Sequence, residues 1–314
     1  MLAISGSCLT TELPFRIAGG LSSGAIIALI ALGYTLVYGV LQLINFAHSE
    51  IFMFGALGGF LFLSKLVPAN PSSSTAIVLL ILAFIPAMLV SGVAAVVLER
   101  VAYRPLRRRG APRLAYLISA IGASLFLSNL VRVWRGSNPE NYPDTIIPSP
   151  VLQFGNVRVL NRDVIVFTVA VLMMIGLDQF IRRTRIGRGI RAVAQDAETA
   201  GLMGVDIDKV ITTTFLMGGM MGGAAGLLYG FSFGRTAFDI GFLPGIKAFT
   251  AAVLGGIGNL RGALVGGLAL GLIENISAGC FGTQWKDVSA FAILVLVLMF
   301  RPTGLFRQGI GGSA

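Results

Sequence analysis

Long apolar stretches alternate with short polar stretches along most of the 314-residue chain. A helix that crosses a lipid bilayer needs about 20 mostly apolar residues, and most of these stretches reach that length. We therefore predict an all-α integral membrane protein, a polytopic helical bundle of about eight to nine spans that includes short or broken glycine-rich segments. The predicted spans are 15–40, 51–67, 75–98, 114–133, 164–181, 210–233, two crossings within 245–277, and 288–300.

The glycine-rich stretch 245–277 is the least regular of the apolar segments. It is long enough to cross the membrane twice if the chain turns at 259–262, although a re-entrant pair of short helices would have the same pattern. Glycines spaced four apart allow helices to approach closely. We expect such packing at the pairs Gly55/Gly59, Gly218/Gly222 and Gly262/Gly266.

The amino-acid composition also indicates that lipid, and not water, surrounds most of the chain. Hydrophobic residues make up 55% of the chain and charged residues only 12%, about half of what a soluble domain carries. We predict a single transmembrane domain over residues 1–314.

The net charge of +10 is concentrated in two short arginine-rich segments, 100–113 and 182–191. Basic residues in short loops mark the cytoplasmic side of a membrane protein. This rule predicts a cytoplasmic loop at about 182–210, an outer loop at about 135–162, an outer N-terminus and a cytoplasmic C-terminus. No aromatic-interleaved basic patch accompanies the arginines, so the charge does not indicate nucleic-acid binding.

The sequence lacks the motifs of an enzyme or a motor. None of its four lysines follows a glycine, so it has no phosphate-binding loop of the GxxxxGK[ST] type. A single histidine and two distant cysteines offer no metal-ligand set, and no catalytic constellation is present. We predict no catalytic residue, metal or cofactor, and an energy source in an ion gradient or in a partner.

The predicted cytoplasmic loop contains a candidate docking element. Residues 192–202 are good helix formers, and we predict one short amphipathic helix along the membrane face that ends at Gly204. An apolar stripe on such a helix would anchor a soluble partner, whereas an ordinary solvated loop is the alternative. The stripe consists of Ala194, Ala197, Ala200, Leu202 and Met203.

Polar residues interrupt the apolar runs in both halves of the chain, a pattern typical of a transport path. Glu50 and Glu274 stand beside long apolar runs, where a charge is costly unless it faces protein or water. Interfacial helix-end charges or structural hydrogen bonds are the alternatives. For His48, packing or capping is favoured over proton transfer. The predicted pathway residues are Asn45, His48, Ser49, Glu50, Glu274 and Asn275.

Several stretches resemble one known family. GYTLVYGVLQLINFAHSEIFMFG at 33–55 is similar to the N-terminal signature of branched-chain amino-acid permeases of ATP-binding-cassette (ABC) importers. ERVAYRP at 99–105, LISAIG at 117–122, KAFTAAVLGGIGN at 247–259 and the segment 286–302 extend the similarity over nearly the whole chain. The closest pattern is that of the first permease subunit of the high-affinity leucine, isoleucine and valine importer.

The resemblance implies a heteromeric importer in the inner membrane of a bacterium or archaeon. Its partners would be a second related permease, two cytoplasmic ATPase subunits and a periplasmic or tethered solute-binding protein, so that ATP hydrolysis belongs to the partners. The resemblance also implies that the segment 192–208 couples the permease to the ATPases. The coupling residues would be Ala194, Asp196, Ala197, Glu198, Ala200, Gly201, Leu202, Met203 and Gly204.

Two alternatives remain at this point. A permease of the same family could carry urea or short-chain amides, and a gradient-driven secondary transporter would also use broken helices. For an apolar amino acid we expect a weakly polar path, lined by Asn45, Ser49 and Asn275.

Overall fold

The structure is a bundle of helices with two small strand pairs at one end. The computed structural model describes residues 13–68, 71–143, 151–154, 157–301 and 304–306. The helices are α1 (Leu13–Leu41), α2 (His48–Leu66), α3 (Ser73–Leu98), α4 (Arg104–Arg108), α5 (Arg113–Arg135), α6 (Asn161–Arg183), α7 (Arg185–Gln195), α8 (Ala197–Leu202), α9 (Ile207–Phe233), α10 (Phe242–Gly255), α11 (Leu260–Phe281) and α12 (Trp285–Phe300), with a π-helical turn (Glu99–Tyr103) between α3 and α4.

Seven helices of the described chain are long and apolar enough to cross a membrane. They are α1, α2, α3 with its continuation through α4, α5, α6, α9 and α11. Helices α10 and α12 are shorter, with 14 and 16 residues. The helical membrane-protein class is confirmed, and the two shorter helices bring the total close to the predicted eight to nine spans.

Helix α1 is the centre of the bundle. It packs on α11, α9, α10 and α6, and its residues from Ala25 to Ala31 have exposed fractions of 6% or less. Helix α9 packs on α2 and α3 and extends this core. By contrast, α5 and α6 carry large exposed apolar side chains such as Phe126 and Leu172, as expected of helices that face lipid.

Glycines make the central contacts possible because a side chain would separate the backbones. A Cβ atom at Gly271 would overlap the backbone of Gly24 on α1, and one at Gly55 would overlap Gly223 on α9. Of the predicted small-residue pairs, Gly55, Gly262 and Gly266 meet backbone this closely, whereas the other three have looser or side-chain contacts. Gly59 faces Leu227, Gly218 faces Gly33, Gly222 faces His48, Gly262 faces Gly255, and Gly266 faces Ala251.

The glycine-rich stretch forms two antiparallel helices, α10 and α11, a feature that both predicted arrangements share. The turn lies at 256–259, slightly before the predicted position. Gly256 and Gly258 have φ angles of 97° and 93°, which end α10. The side chain of Asn259 then accepts hydrogen bonds from the backbone of Arg261 and Gly262 and caps α11.

The two ends of the bundle differ in chemistry. The end that carries α4, α7 and α8 holds the two arginine-rich segments, and we call it the arginine end. The opposite end carries the strands β1 (Glu140–Asn141), β2 (Val151–Phe154), β3 (Val157–Leu160) and β4 (Arg235–Thr236), and we call it the strand end. Helix α1 begins at the strand end. At the arginine end, the backbone amide of Leu305 donates to the carbonyl of Leu254. The first and last described residues therefore lie at opposite ends of the bundle.

The predicted outer loop, 135–162, lies at the strand end and is partly ordered by strands that the sequence analysis did not predict. Strand β1 pairs with β4, and β2 pairs with β3 as a hairpin; residues 144–150 and 155–156 of this loop lie outside the described residues. Tyr142 anchors the loop, because its hydroxyl donates to the carbonyl of Ala56 and its ring packs on Phe60.

Replacing Gly271 with alanine tests the role of close helix packing. The added methyl group would force α1 and α11 apart, and overpacking of this kind costs about 1–3 kcal/mol. Thermal unfolding of the purified protein in detergent should show a clear loss for Gly271→Ala. The control is Gly122→Ala on α5, where no atom lies within 4 Å of the new Cβ. Equal melting temperatures for the two variants would contradict the packing account.

Candidate functional site

The predicted pathway residues lie in two separate places. Asn45, His48, Ser49 and Glu50 lie where α1 ends and α2 begins, and we call these four residues the polar junction. Glu274 and Asn275 lie on α11 toward the strand end, beside a cavity described below. The sequence analysis grouped all six as one path, whereas the structure places them at different depths of the bundle.

At the polar junction, Asn45 is held by hydrogen bonds on both sides. Its Oδ1 accepts from the backbone amide of Ala47 at 3.1 Å and from the hydroxyl of Tyr103 at 2.7 Å. Tyr103 belongs to the π-helical turn, so this contact joins the junction to the arginine end. The Nδ2 of Asn45 has no hydrogen-bond partner among the described residues, so it retains two donors.

Glu50 is a carboxylate inside the protein, with an exposed fraction of 3%. Its Oε1 accepts from Ser124 on α5 at 3.0 Å and lies 3.3 Å from the hydroxyl of Ser49. Its Oε2 faces Gly241, where α10 begins, and has no hydrogen-bond partner within the described part of the chain. Glu50 lies in the first turn of α2 and is enclosed by protein, as a structural hydrogen-bond acceptor or a pathway residue would be.

His48 fills a gap between three helices. Its ring lies edge-on to Tyr34 with centroids 4.9 Å apart. It also lies against Gly33, where a Cβ atom would collide with it, and near Gly222. Its exposed fraction is 1%, and its Nε2 has no hydrogen-bond partner among the described residues. The ring therefore packs between helices, and a structural role in place of proton transfer stays a prediction.

The predicted coupling segment is two helices and not one, which corrects the prediction. Asp196 has extended backbone geometry and separates α7 from α8, because its carboxylate accepts hydrogen bonds from the amides of Glu198 and Thr199. Hydrogen bonds from the Thr199 hydroxyl and these amides hold the pKa of Asp196 below its usual range. The predicted end at Gly204 is correct, with a φ of 86°.

The predicted apolar stripe does not form a single face, which is a second correction. Ala200 points into the protein and is 5% exposed, whereas Leu202 and Met203 are 84% and 81% exposed at the tip of α8. The break at Asp196 changes the helical register between α7 and α8 and so divides the stripe. Of the other coupling residues, Ala197 and Glu198 are exposed, while Ala194 and Gly201 are half-buried.

Behind this segment lies a charge network that the sequence analysis missed. Glu99 in the π-helical turn is fully buried and binds Arg104 at 3.3 Å and Arg107 at 3.2 Å. Arg107 also binds Asp208 in the first turn of α9, and Arg108 binds the same carboxylate at 3.2 Å. The network therefore connects α3 and α4 with the helix that follows the coupling segment. Only the mixed signs of ERVAYRPLRRR hinted at it.

The second group of pathway residues faces a cavity at the strand end. The cavity has two connected lobes of about 180 and 190 Å³, which share Ser23, Ile26, Phe233 and Lys286. Asn275 lines the first lobe, and its Nδ2 donates to the hydroxyl of Ser23 at 2.7 Å.

An ion-paired triad lines the second lobe. Glu274 is 1% exposed and binds Lys247 on α10 at 3.1 Å, so its charge is compensated within the protein. Lys247 also binds Asp287 on α12 at 2.7 Å. The sequence analysis selected Glu274 but missed its partners, because no spacing in the sequence brings α10, α11 and α12 together.

The apolar helices and the enclosed polar groups define a multi-pass helical membrane protein. The chain matches the family model described as "Branched-chain amino acid transport system / permease component" over residues 16–298. The chain therefore belongs to this family. No solved structure matches it.

Curated relatives cover nearly the whole chain. It is 42% identical over 297 residues to the high-affinity branched-chain amino acid transport system permease protein BraD of Pseudomonas aeruginosa, covering 93% of this chain and 95% of the relative. It is 41% identical over 292 residues to LivH of Escherichia coli, a permease protein of the same description, covering 92% and 94%. A probable permease protein LivH of Methanocaldococcus jannaschii is 25% identical over 220 residues, covering 68% and 65%.

Replacing Glu99 with glutamine tests the charge network. The change keeps the shape of the side chain but leaves Arg104 and Arg107 without their buried carboxylate, which should cost about 1–3 kcal/mol. The control is Asp178→Asn, which breaks the exposed pair with Arg182 and should cost less than about 1 kcal/mol. A melting temperature no lower for Glu99→Gln than for the control would show that the network does not stabilise this end.

Proposed function

We propose that the chain is the permease subunit of an ABC importer for branched-chain or related neutral amino acids in the inner membrane. Its 42% identity to BraD over 93% of the chain carries this proposal, because BraD is a branched-chain amino acid permease protein. The seven span-length helices supply the membrane pathway, and ATP hydrolysis belongs to separate subunits.

The arginine end faces the cytoplasm in this proposal, and the strand end faces outward. The basic residues around α4 and α7 favour this orientation because short basic loops are retained on the cytoplasmic side. The N-terminal end of α1 is then outside, and the residues after α12 are inside. The loop at 182–210 is cytoplasmic, and the loop at 135–162 meets the solute-binding protein.

The tip of α8 is the proposed contact with an ATPase subunit. Leu202 and Met203 are more than four-fifths exposed at the arginine end, and the same segment carries the exposed acidic residues Asp196, Glu198 and Asp206. Exposed apolar side chains on a short helix are suited to a hydrophobic groove in a soluble partner. Two ATPases and a second related permease would complete the complex.

Transport proceeds by alternating access in this proposal. The binding protein delivers its solute at the strand end, next to the cavity that contains Glu274 and Asn275. ATP binding draws the ATPases together, and their motion passes through α8 to α9. The Arg107 bridge carries this motion on to the π-helical turn, which contacts the polar junction through Tyr103 and Asn45.

A gradient-driven secondary transporter is the alternative from another class. It would need no docking element, and the exposed apolar tip of α8 therefore favours the ATP-driven importer. Urea or short-chain amides remain alternative substrates for the same fold. The charged groups of the strand-end cavity discriminate between these molecules and amino acids.

The double variant Leu202→Ser, Met203→Ser tests the docking contact. Removing both anchors should reduce co-purification of the ATPase and lower ATP-driven leucine uptake by about tenfold, since buried apolar anchors dominate such interfaces. The matched control is Leu66→Ser, an exposed leucine at the strand end. Full co-purification and uptake in the double variant would contradict the proposal.

Alanine variants of Asn45, Ser49 and Asn275 test the proposed pathway. Each should lower uptake, because each removes a polar group from the buried junction or the cavity, without reducing the amount of bound ATPase. Ser64→Ala is the control, because Ser64 is exposed and bonds only within its own helix. Unchanged uptake in all three variants would remove these residues from the pathway.

A further inference from the structure

Lys286 lines both lobes of the strand-end cavity without an ion pair. It lies in the first turn of α12, half-buried, and its Nζ is 5.8 Å from the ring centroid of Phe233. Within the described residues no carboxylate is within 4.0 Å of this ammonium group, and Glu274 and Asp287 act on it only at longer range. A half-buried ammonium without a close anion is incompletely compensated, so this position is suited to a bound anion.

The neighbouring charges have the opposite arrangement. Lys247 is shared by two carboxylates, those of Glu274 and Asp287, so negative charge exceeds positive charge at that side of the second lobe. With Lys286 included, the lobe contains two cations and two anions and is neutral as a whole. Lys286 is therefore the cation of the lobe that lacks a close carboxylate, whereas both carboxylates pair with Lys247. A neutral molecule that carries separate positive and negative groups matches this pattern.

Apart from Ser23 and Tyr229, the remaining wall of the second lobe is apolar. Ile26 and Ile27 of α1 face Leu243 of α10 across it, and the ring of Phe233 borders both lobes. A volume of about 190 Å³ is below that of the 300–1,000 Å³ pockets that hold drug-sized ligands. The space is suited to one small molecule with an apolar tail.

We propose that the strand-end cavity binds a zwitterionic amino acid with an apolar side chain. The α-carboxylate binds the ammonium group of Lys286, the α-ammonium group binds Asp287 and Glu274, and the side chain lies against Ile26 and Leu243. This inference rests on the proposed function for the identity of the transported solute. It extends that function by assigning the groups that recognise the solute, none of which was among the predicted pathway residues except Glu274.

The proposal separates the candidate substrates by chemistry. Urea and short-chain amides lack a carboxylate, so they leave the Lys286 ammonium uncompensated. Leucinamide has the ammonium group and the side chain of leucine but no carboxylate, and 4-methylpentanoate has the carboxylate and the side chain but no ammonium group. Only leucine itself satisfies both charged sides of the cavity.

The test measures weak binding directly, because delivery by a binding protein would impose its own selectivity. The chain is purified with its co-purifying subunits in lipid nanodiscs, without the solute-binding protein, and leucine binding is followed by saturation-transfer NMR. Leucinamide, 4-methylpentanoate and urea are tested as competitors. The variants are Lys286→Met, which removes the charge but keeps an unbranched side chain, and Lys286→Arg, which keeps the charge. Lys65→Met, at an exposed lysine of the same end, is the matched control.

We expect leucine to bind the wild-type complex and the Lys65→Met control equally. Lys286→Met should weaken binding at least about tenfold, as expected for the loss of a charge-assisted hydrogen bond, and Lys286→Arg should restore most of it. The three competitors should displace leucine at least about tenfold less well than unlabelled leucine. Equal binding by Lys286→Met, or equal competition by leucinamide, would overturn the assignment.

A parallel uptake assay separates this inference from the proposed function. If wild-type proteoliposomes with ATP and the binding protein take up leucine while the cavity fails these binding tests, the cavity assignment is wrong and the importer proposal stands. If the cavity binds leucine as expected but no ATP-driven uptake occurs, the binding site stands and the importer proposal is wrong.

Discussion

Close backbone contact between α1 and its neighbours is the interaction on which the rest of the structure depends. In a bilayer, apolar side chains gain little by leaving lipid, so helices associate through tight packing and internal hydrogen bonds. Gly24 and Gly271 bring α1 against α11, and Gly33 and Gly218 bring it against α9. These contacts leave little room for side chains along the central seam. Polar groups cluster beside it at the polar junction and at the strand-end cavity.

The polar junction and the strand-end cavity differ in the groups that they present to a solute. At the polar junction the helices remain close, and the carboxylate of Glu50 is held by the hydroxyls of Ser49 and Ser124. At the strand end the seam opens into a cavity with ion-paired walls. In this account the cavity receives the solute first. The junction is the closed part of the path, and it is linked through Tyr103 to the charge network at the arginine end.

The fold could be predicted from the sequence because a membrane-spanning helix is recognised by its length and hydropathy. The turn in the glycine-rich stretch was nearly correct for the same reason, since Gly256, Gly258 and Asn259 stand between two apolar runs. The coupling segment was less accessible. The cap at Asp196 interrupts a run of helix formers, and a local side-chain hydrogen bond overrides their propensity.

The site was only partly predictable, because ion pairs between distant helices have no local signature. Glu274 was identified from its cost in an apolar run, but Lys247 and Asp287 become its neighbours only when three helices meet. Arg107 was likewise interpreted as one of the basic residues that set the orientation in the membrane, although it forms ion pairs with both Glu99 and Asp208. Charged residues whose burial is costly can be identified from the sequence. The residues that pair with them and compensate their charge can be identified only from the fold.

The central claim is that this chain has no energy source of its own, and that ATP hydrolysis by partner subunits at the arginine end drives transport. The most direct measurement is leucine uptake into proteoliposomes that contain either the full complex or this chain alone, with ATP supplied on the side of the arginine end. The account predicts uptake by the full complex that requires ATP and survives ionophores, and none by the chain alone. Uptake by the chain alone, driven by an ion gradient and abolished by ionophores, would contradict it.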